Sequence, residues 1–148
     1  MAQAPTLRER ALRLLARREH SRAELARKLS AHLSPEDDLD RLLDELTSRN
    51  LLSEARYAES RVRRLGEKFG TARIEHELRA KGLSREAAAA AATSARASEL
   101  DRAREVWRRK FGSSPKTREE RARQIRFMQS RGFSFDVIRS LLGKTEDD

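Results

Sequence analysis

Arg79-Ala80-Lys81-Gly82-Leu83-Ser84 and Gln129-Ser130-Arg131-Gly132-Phe133-Ser134 stand 50 residues apart and correspond position by position. In each, a helical run reaches a Gly, which closes a helix in the left-handed region at no steric cost. An apolar residue and a Ser N-cap for the next helix follow. Leu33-Ser34 lies a further 50 residues upstream. A period of this size predicts tandem units of a single kind stacked on one another.

Apolar residues recur at helical spacing outward from these anchors. Leu7, Ala11, Leu14 and Leu15 form a first stripe ending near Arg17-Arg18-Glu19-His20, and Ser21 with Glu24 reads as a capping box before Leu25 and Leu29. Ser34-Pro35 reads as an N-cap followed by Pro at the first helical position, ahead of Leu39, Leu42, Leu43 and Leu46, with Asn50 as the stop. Ser53 caps a helix bearing Ala58, Val62, Leu65 and Phe69 that stops at Gly70; Thr71 opens a short one with Ile74 and Leu78; Ser84 opens the alanine-rich one. Leu100, Ala103, Trp107 and Phe111 precede Gly112, then Thr117 leads to Ala122, Ile125 and Met128, and Ser134 to Ile138, Leu141 and Leu142. The expected fold is all-α: nine helices in three three-helix repeats, at 7–52, 53–97 and 98–143, stacked into an elongated array with an acidic tail at 144–148. About eight large apolar side chains per unit, at about 1.5–3 kcal/mol each, fall short of the backbone entropy of about 50 residues. Neighbouring units are therefore expected to share their cores. Ala87–Ala92 reads as a slim helix that admits close neighbours, since alanine anchors little binding energy.

Composition agrees with helix. The 148 residues are 39% charged and only 5% aromatic, poor in what a sandwich or barrel needs. The absence of Cys removes disulfides and thiolate chemistry. No apolar run reaches the roughly 18 residues of a membrane span, and the N-terminus lacks an apolar signal core. The expectation is a monomeric protein of a reducing cytoplasm.

The six glycines all sit at helix ends, where C-capping accounts for them, and no phosphate-binding glycine motif occurs. His20, His32 and His76 are scattered without metal-ligand pairing, and Asp37, Asp38 and Asp40 fall in a first helical turn, where acids complement the dipole. No catalytic constellation, metal site or cofactor site is expected. Charge is more informative: the chain carries +9 overall, with a net of +1 over residues 1–56, +2 over 57–101 and +6 over 102–148. A basic excess in the last third suits a polyanion or an acidic groove. Arg63 and Arg64 line the second unit's long helix; Arg73, Arg79 and Lys81 lie on its short helix; Arg121, Arg123, Arg126 and Arg131 lie on the corresponding helix of the third unit. These nine are the candidate partner contacts. Lys81 and Arg131 are favoured by helix C-termini, but Arg73 sits near an N-terminus, where a cation gains nothing from the dipole. Changing Arg123, Arg126 and Arg131 together to Ala is expected to leave thermal stability nearly unchanged. The guanidinium fork pairs with phosphate and carboxylate alike, so the stripe itself admits a nucleic acid or an acidic protein surface.

Three segments carry a family resemblance. Asn50-Leu51-Leu52-Ser53-Glu54-Ala55-Arg56-Tyr57-Ala58 resembles the junction between the first two units of the RecX regulatory proteins, and Ile74-Glu75-His76-Glu77-Leu78-Arg79-Ala80-Lys81-Gly82-Leu83 resembles the second unit's signature. Arg126-Phe127-Met128-Gln129-Ser130-Arg131-Gly132-Phe133-Ser134 resembles the third unit's. The alanine-rich helix departs from the larger aliphatics usual in the family. The resemblance implies an elongated, curved stack of three-helix repeats, a non-enzymatic modulator of RecA recombinase that lies in the groove of the RecA–DNA filament. It implies inhibition of strand exchange, ATPase and coprotease activities, with single- and double-stranded DNA as a second partner class. The other reading left open by the residues is a free-standing basic module that binds DNA alone.

Overall fold

The computed structural model describes residues 3–143, so the acidic tail expected at 144–148 lies outside the described residues. The described residues form nine helices and no strand. The first unit holds α1 (Leu7–Arg17), α2 (Arg22–Ser30) and α3 (Leu39–Ser48); the second holds α4 (Glu54–Gly66), α5 (Thr71–Ala80) and α6 (Arg85–Arg96). The third holds α7 (Glu99–Lys110), α8 (Arg118–Ser130) and α9 (Phe135–Leu142). Seven helices are capped by the side chain of the preceding residue, Ser21, Ser53, Ser84 and Ser134 among them. Asn50 at φ 61° and Gly82, Gly112, Gly132 and Gly143 at φ between 74° and 92° close helices in the left-handed region.

Ser34 does not begin a helix. The Asp37 N–H bonds back to the Ser34 carbonyl at 3.0 Å and the Ser34 N–H donates to Asp37 Oδ2, which closes Ser34-Pro35-Glu36-Asp37 as a separate turn. Pro at its second position suits such a turn. Asp38 then caps α3, leaving only Asp40 in the first helical turn. At Ser21 the capping box is half made: Ser21 Oγ accepts from the Glu24 N–H, but the Glu24 carboxylate turns to Arg18, 2.9 Å away on both oxygens. Gly66 and Gly70 do not act as left-handed stops either. Gly66 is the last residue of α4, and Gly70 is the N-cap of α5. Nor is α8 short; at 13 residues it matches α4.

Each unit closes its own core. Leu7, Ala11, Leu25, Leu29, Leu43, Leu46 and Leu52 form the first. Around Ile74 and Leu78, with Tyr57, Leu83 and the buried face of the alanine helix, lies the second; Met128, Phe133 and Ile138 centre the third. The expected shared cores are therefore absent, because the junctions between units are polar. The accessible surface of 9941 Å² compares with about 7,700 Å² for a compact monomer of this mass, as separate cores in a row require.

The two junctions repeat one contact. The start of α2 meets the turn after α5: Ser21 Oγ donates to the Lys81 carbonyl at 3.2 Å, and a Cβ at Gly82 would lie 2.5 Å from that of Ala23. The start of α5 meets the turn after α8 likewise: the Gly70 N–H donates to the Arg131 carbonyl at 2.8 Å, and a Cβ at Gly132 would lie 2.5 Å from that of Arg73. Glu99 and Arg102, both from α7, complete the second junction. Glu99 Oε1 accepts from the Thr71 N–H at 2.7 Å, supplying the cap that Gly70 cannot. Arg102 donates to the carbonyls of Phe69 at 2.6 Å, Ala95 at 3.0 Å and Gly66 at 3.4 Å.

His20, only 1% exposed, sits behind the first junction with Nδ1 3.0 Å from the Arg18 carbonyl and Nε2 3.1 Å from Lys28 Nζ. The ammonium fixes Nε2 as acceptor and so the proton on Nδ1. Desolvation lowers the His20 pKa below its usual 6.5, and the hydrogen bond from Arg18 lowers that of Glu24. A lowered histidine pKa means that the unfolded chain takes up the proton first. Its contribution is complete above about pH 6.5 and is lost as pH falls through the folded value. Thermal stability is expected to decrease from pH 7 to pH 5, and His20→Gln to flatten that decrease; an unchanged pH slope in the variant would exclude His20 as its source.

Candidate functional site

The nine cations expected to meet a partner divide by their surroundings. Arg73 lies over the Phe69 ring at 4.6 Å, reaches the Ser130 carbonyl at 3.4 Å and pairs with Glu77 at 3.9 Å. Arg131 stacks on two rings, Phe69 at 5.5 Å and Phe127 at 5.1 Å. The two arginines clasp Phe69 across the second junction, so the N-terminal position of Arg73 is explained within the fold. Arg121 caps α9, with its guanidinium 2.9 Å from the Gly143 carbonyl. Arg131 thus leaves the set whose removal costs nothing: cation–π contacts are worth about 0.5–1 kcal/mol each at exposed sites.

The others are open to solvent. Arg63 pairs only with Glu59, one turn away at 3.3 Å. Arg79 stands exposed beside Glu75 and His76. Arg123 and Arg126 are exposed on α8, and neither has a side-chain hydrogen bond or ion pair among the described residues. Of these, Arg79, Arg123 and Arg126 have no ion pair among the described residues that an external anion would have to break.

Arg64 and Lys81 come together at the first junction. With Arg61 and Arg18 they line a cleft of about 220 Å³ that also holds Tyr57 and Glu19. The second junction carries its counterpart, a cleft of about 260 Å³ lined by Lys68, Arg109, Lys110, Phe127 and Arg131 beside Glu67. Lys110 Nζ lies 5.2 Å from the Phe127 ring, and Phe111 meets that ring edge-on at 5.4 Å. Lys68, Arg109 and Lys110 were not among the nine. The signal that finds them is their position at the C-terminal ends of α4 and α7, both next to the glycine turn of the third unit. Arg102 is equally silent in the sequence, because its partners are carbonyl groups and every residue has one.

No group of His, Asp or Glu among the described residues is arranged to hold a metal ion, and none of the helices is long and apolar enough to cross a membrane. What this surface offers is cationic clefts at repeated junctions, with exposed arginines on the second helices of units two and three.

Comparison with known proteins agrees with the three-unit reading. The family descriptions "RecX, first three-helix domain", "RecX, second three-helix domain" and "RecX, third three-helix domain" match residues 8–46, 53–91 and 97–142. Regulatory protein RecX of Leptothrix cholodnii is 52% identical over 137 residues, covering 93% of this chain and 87% of that protein. Its namesake from Ralstonia nicotianae is 46% identical, with 93% and 86% covered. The crystal structure of RecX from Lactobacillus salivarius shares the fold at a TM-score of 0.78 and 21% identity, covering 91% of each chain. With nine helices in three such domains and relatives this similar over nearly its whole length, the chain belongs to the RecX family of regulatory proteins.

Proposed function

We propose that this regulator acts, without catalysis, on RecA recombinase, lying in the groove of the RecA–DNA filament and inhibiting its recombinase, ATPase and coprotease activities. The observation that carries this reading is the row of three separately packed units with open arginines, Arg123 and Arg126, on its outer surface. Helices packing about 8–10 Å apart give three stacked units an extent of about 60–75 Å, enough to touch several protomers of a filament. A rigid body bridging neighbouring protomers fixes their relative rotation, and a filament whose subunits cannot rotate cannot complete nucleotide hydrolysis. The partner-binding set is Arg63, Arg64, Arg79, Lys81, Arg123 and Arg126, with Arg73, Arg121 and Arg131 holding the surface in shape. The protein works as a monomer in the cytoplasm.

The test is a titration of RecA's DNA-dependent ATPase at a salt concentration where the regulator does not bind bare DNA. Sub-stoichiometric protein is expected to lower the rate; an unaltered rate excludes the filament reading and leaves the free-standing DNA module. Arg123→Ala with Arg126→Ala is expected to raise the concentration for half-inhibition about tenfold, while stability stays within about 0.5 kcal/mol of the parent. Inhibition equal to the parent's would remove α8 from the site.

A further inference from the structure

The first unit, nearly neutral by count, holds a basic groove that no carboxylate lines. Arg10, Arg13 and Arg17 of α1 face Lys28 of α2 and His32 of the turn after it across a cavity of about 330 Å³, floored by Leu14 and Leu29. Four acidic side chains of the unit are engaged elsewhere: Glu45 pairs with Arg8 and Arg49, Glu24 with Arg18, Asp44 with Arg22, Glu19 with Arg56. Among the described residues Arg10, Arg13 and Arg17 have no such partner, and Lys28 meets only the neutral His20 ring. Within one unit, then, Arg8, Arg18, Arg22 and Arg49 are neutralised; the three groove arginines are not, nor are Arg27 and Arg41, but only the three share a cavity.

The groove also recurs in register. Arg17, Arg64 and Arg109 each follow a buried alanine (Ala11, Ala58, Ala103) by six residues. His32, Lys81 and Arg131 each follow a buried residue (Leu29, Leu78, Met128) by three. Each of the three resulting pairs lines a cleft. Helix C-termini favour a cation at either position by about 0.3–1 kcal/mol. That effect accounts for Arg17 but not for Arg13 and Arg10, which lie about one and two turns further back. In the two junction clefts Glu19 or Glu67 stands beside the pair; of these three clefts, the first unit's alone lacks an acid.

We propose that this α1/α2 groove is a binding site for the phosphodiester backbone of double-stranded nucleic acid. Arg10, Arg13 and Arg17 span seven residues of helix, about 10.5 Å along its axis. That is the rise of about three phosphates along one strand of a duplex, at about 3.4 Å each. Guanidinium groups pair bidentately with phosphate oxygens. No Phe, Tyr or Trp lines the groove, so it has no platform for stacking unpaired bases, and contact is confined to the backbone and indifferent to sequence.

The test is fluorescence anisotropy of the full chain with a labelled mixed-sequence duplex, titrated at several salt concentrations in the absence of any recombinase, which keeps the result separate from the filament reading. Arg13→Ala with Arg17→Ala is expected to weaken binding about tenfold and to reduce the slope of log K against log salt by about 1.8, that is, by about 0.9 for each phosphate no longer neutralised. Arg27→Ala with Arg41→Ala removes the same charge from the same unit outside the groove and is expected to leave the slope unchanged. Circular dichroism checks that both variants fold, and unfolding of the first at once excludes a purely binding role. The proposal is overturned if the parent does not bind duplex, if the two double variants behave alike, or if polyglutamate competes for the parent as well as duplex does.

Discussion

Replacing Gly70 by alanine is expected to destabilise the protein by about 3 kcal/mol, one of the largest effects of any single methyl group in this fold. At φ −79° alanine fits the backbone of Gly70 without strain, so the effect isolates space alone. A Cβ there would come within 2.5 Å of the Gly132 carbonyl carbon and the Phe133 nitrogen. Those are backbone atoms of the neighbouring unit, held by the glycine turn at φ 88°, and they cannot swing aside as a side chain does. Overpacking of this kind costs about 1–3 kcal/mol. Parting the junction also breaks the Gly70–Arg131 hydrogen bond, worth about 1 kcal/mol. Gly112→Ala is the comparison: its Cβ would meet only the Arg108 carbonyl at 3.4 Å, leaving the left-handed φ of 74° as its main cost, about 1–2 kcal/mol. Chemical denaturation of both variants decides the matter. A Gly70 variant no less stable than the Gly112 variant would mean that the second junction is loose.

Arg102→Met should cost a similar amount by another route. Methionine keeps an unbranched stem against Gly66, where an added Cβ would lie 3.1 Å from the Arg102 side chain, and removes every donor. The carbonyls of Phe69 and Ala95 are left without their partner, and Glu99 without a nearby cation. Burial already pushes the Arg102 pKa down, so the guanidinium is held there by its hydrogen bonds and not by solvent. Hydrogen bonds to a charged donor contribute about 1.5–3 kcal/mol each. Partial access of water to the vacated carbonyls limits the loss to about 3 kcal/mol in all. Arg102→Lys is expected to recover less than half, since one ammonium cannot reach carbonyls on both α4 and α6. A methionine variant within about 0.5 kcal/mol of the parent would show that the junction does not depend on this fork.

These two residues mark where reading from sequence stops. Caps and glycine turns are local: Ser84, Ser134, Gly82 and Gly132 announce helix ends because their chemistry acts within one turn of chain. The buried alanine and aliphatic positions announce themselves by spacing. Ser34-Pro35 misleads because Asp38, four residues on, is as good a cap, and nothing local decides between them. The junctions are invisible for a different reason. Gly70 reads as one more helix stop when its work is to admit a backbone from about 60 residues away, and Arg102 reads as one arginine among many. Of the candidate contacts, Arg79, Arg123 and Arg126 stand exposed as their surroundings in sequence suggest. Arg73 and Arg121 look equally available in sequence and are engaged at a ring and a helix end that only the folded chain supplies.

The junction joins unlike surfaces, the start of a second helix in one unit to the glycine turn in the next. A head-to-tail contact of that kind can in principle add copies without limit and grow into a fibre. Neither free end repeats that pairing. Counted four residues past the buried Leu29, Leu78 and Met128, Leu33, 44% exposed, stands where the other two units have Gly82 and Gly132, so the free turn lacks the glycine that both junctions use. At the far end α8 begins three residues earlier than α2 and α5 do relative to the core: eleven residues separate its cap from Met128, against eight from Ser21 to Leu29 and from Gly70 to Leu78. The helix start left free in the third unit is therefore longer than the two that dock, and the turn left free in the first unit has a leucine for a glycine, so neither free end reproduces the contact on which the two junctions are built.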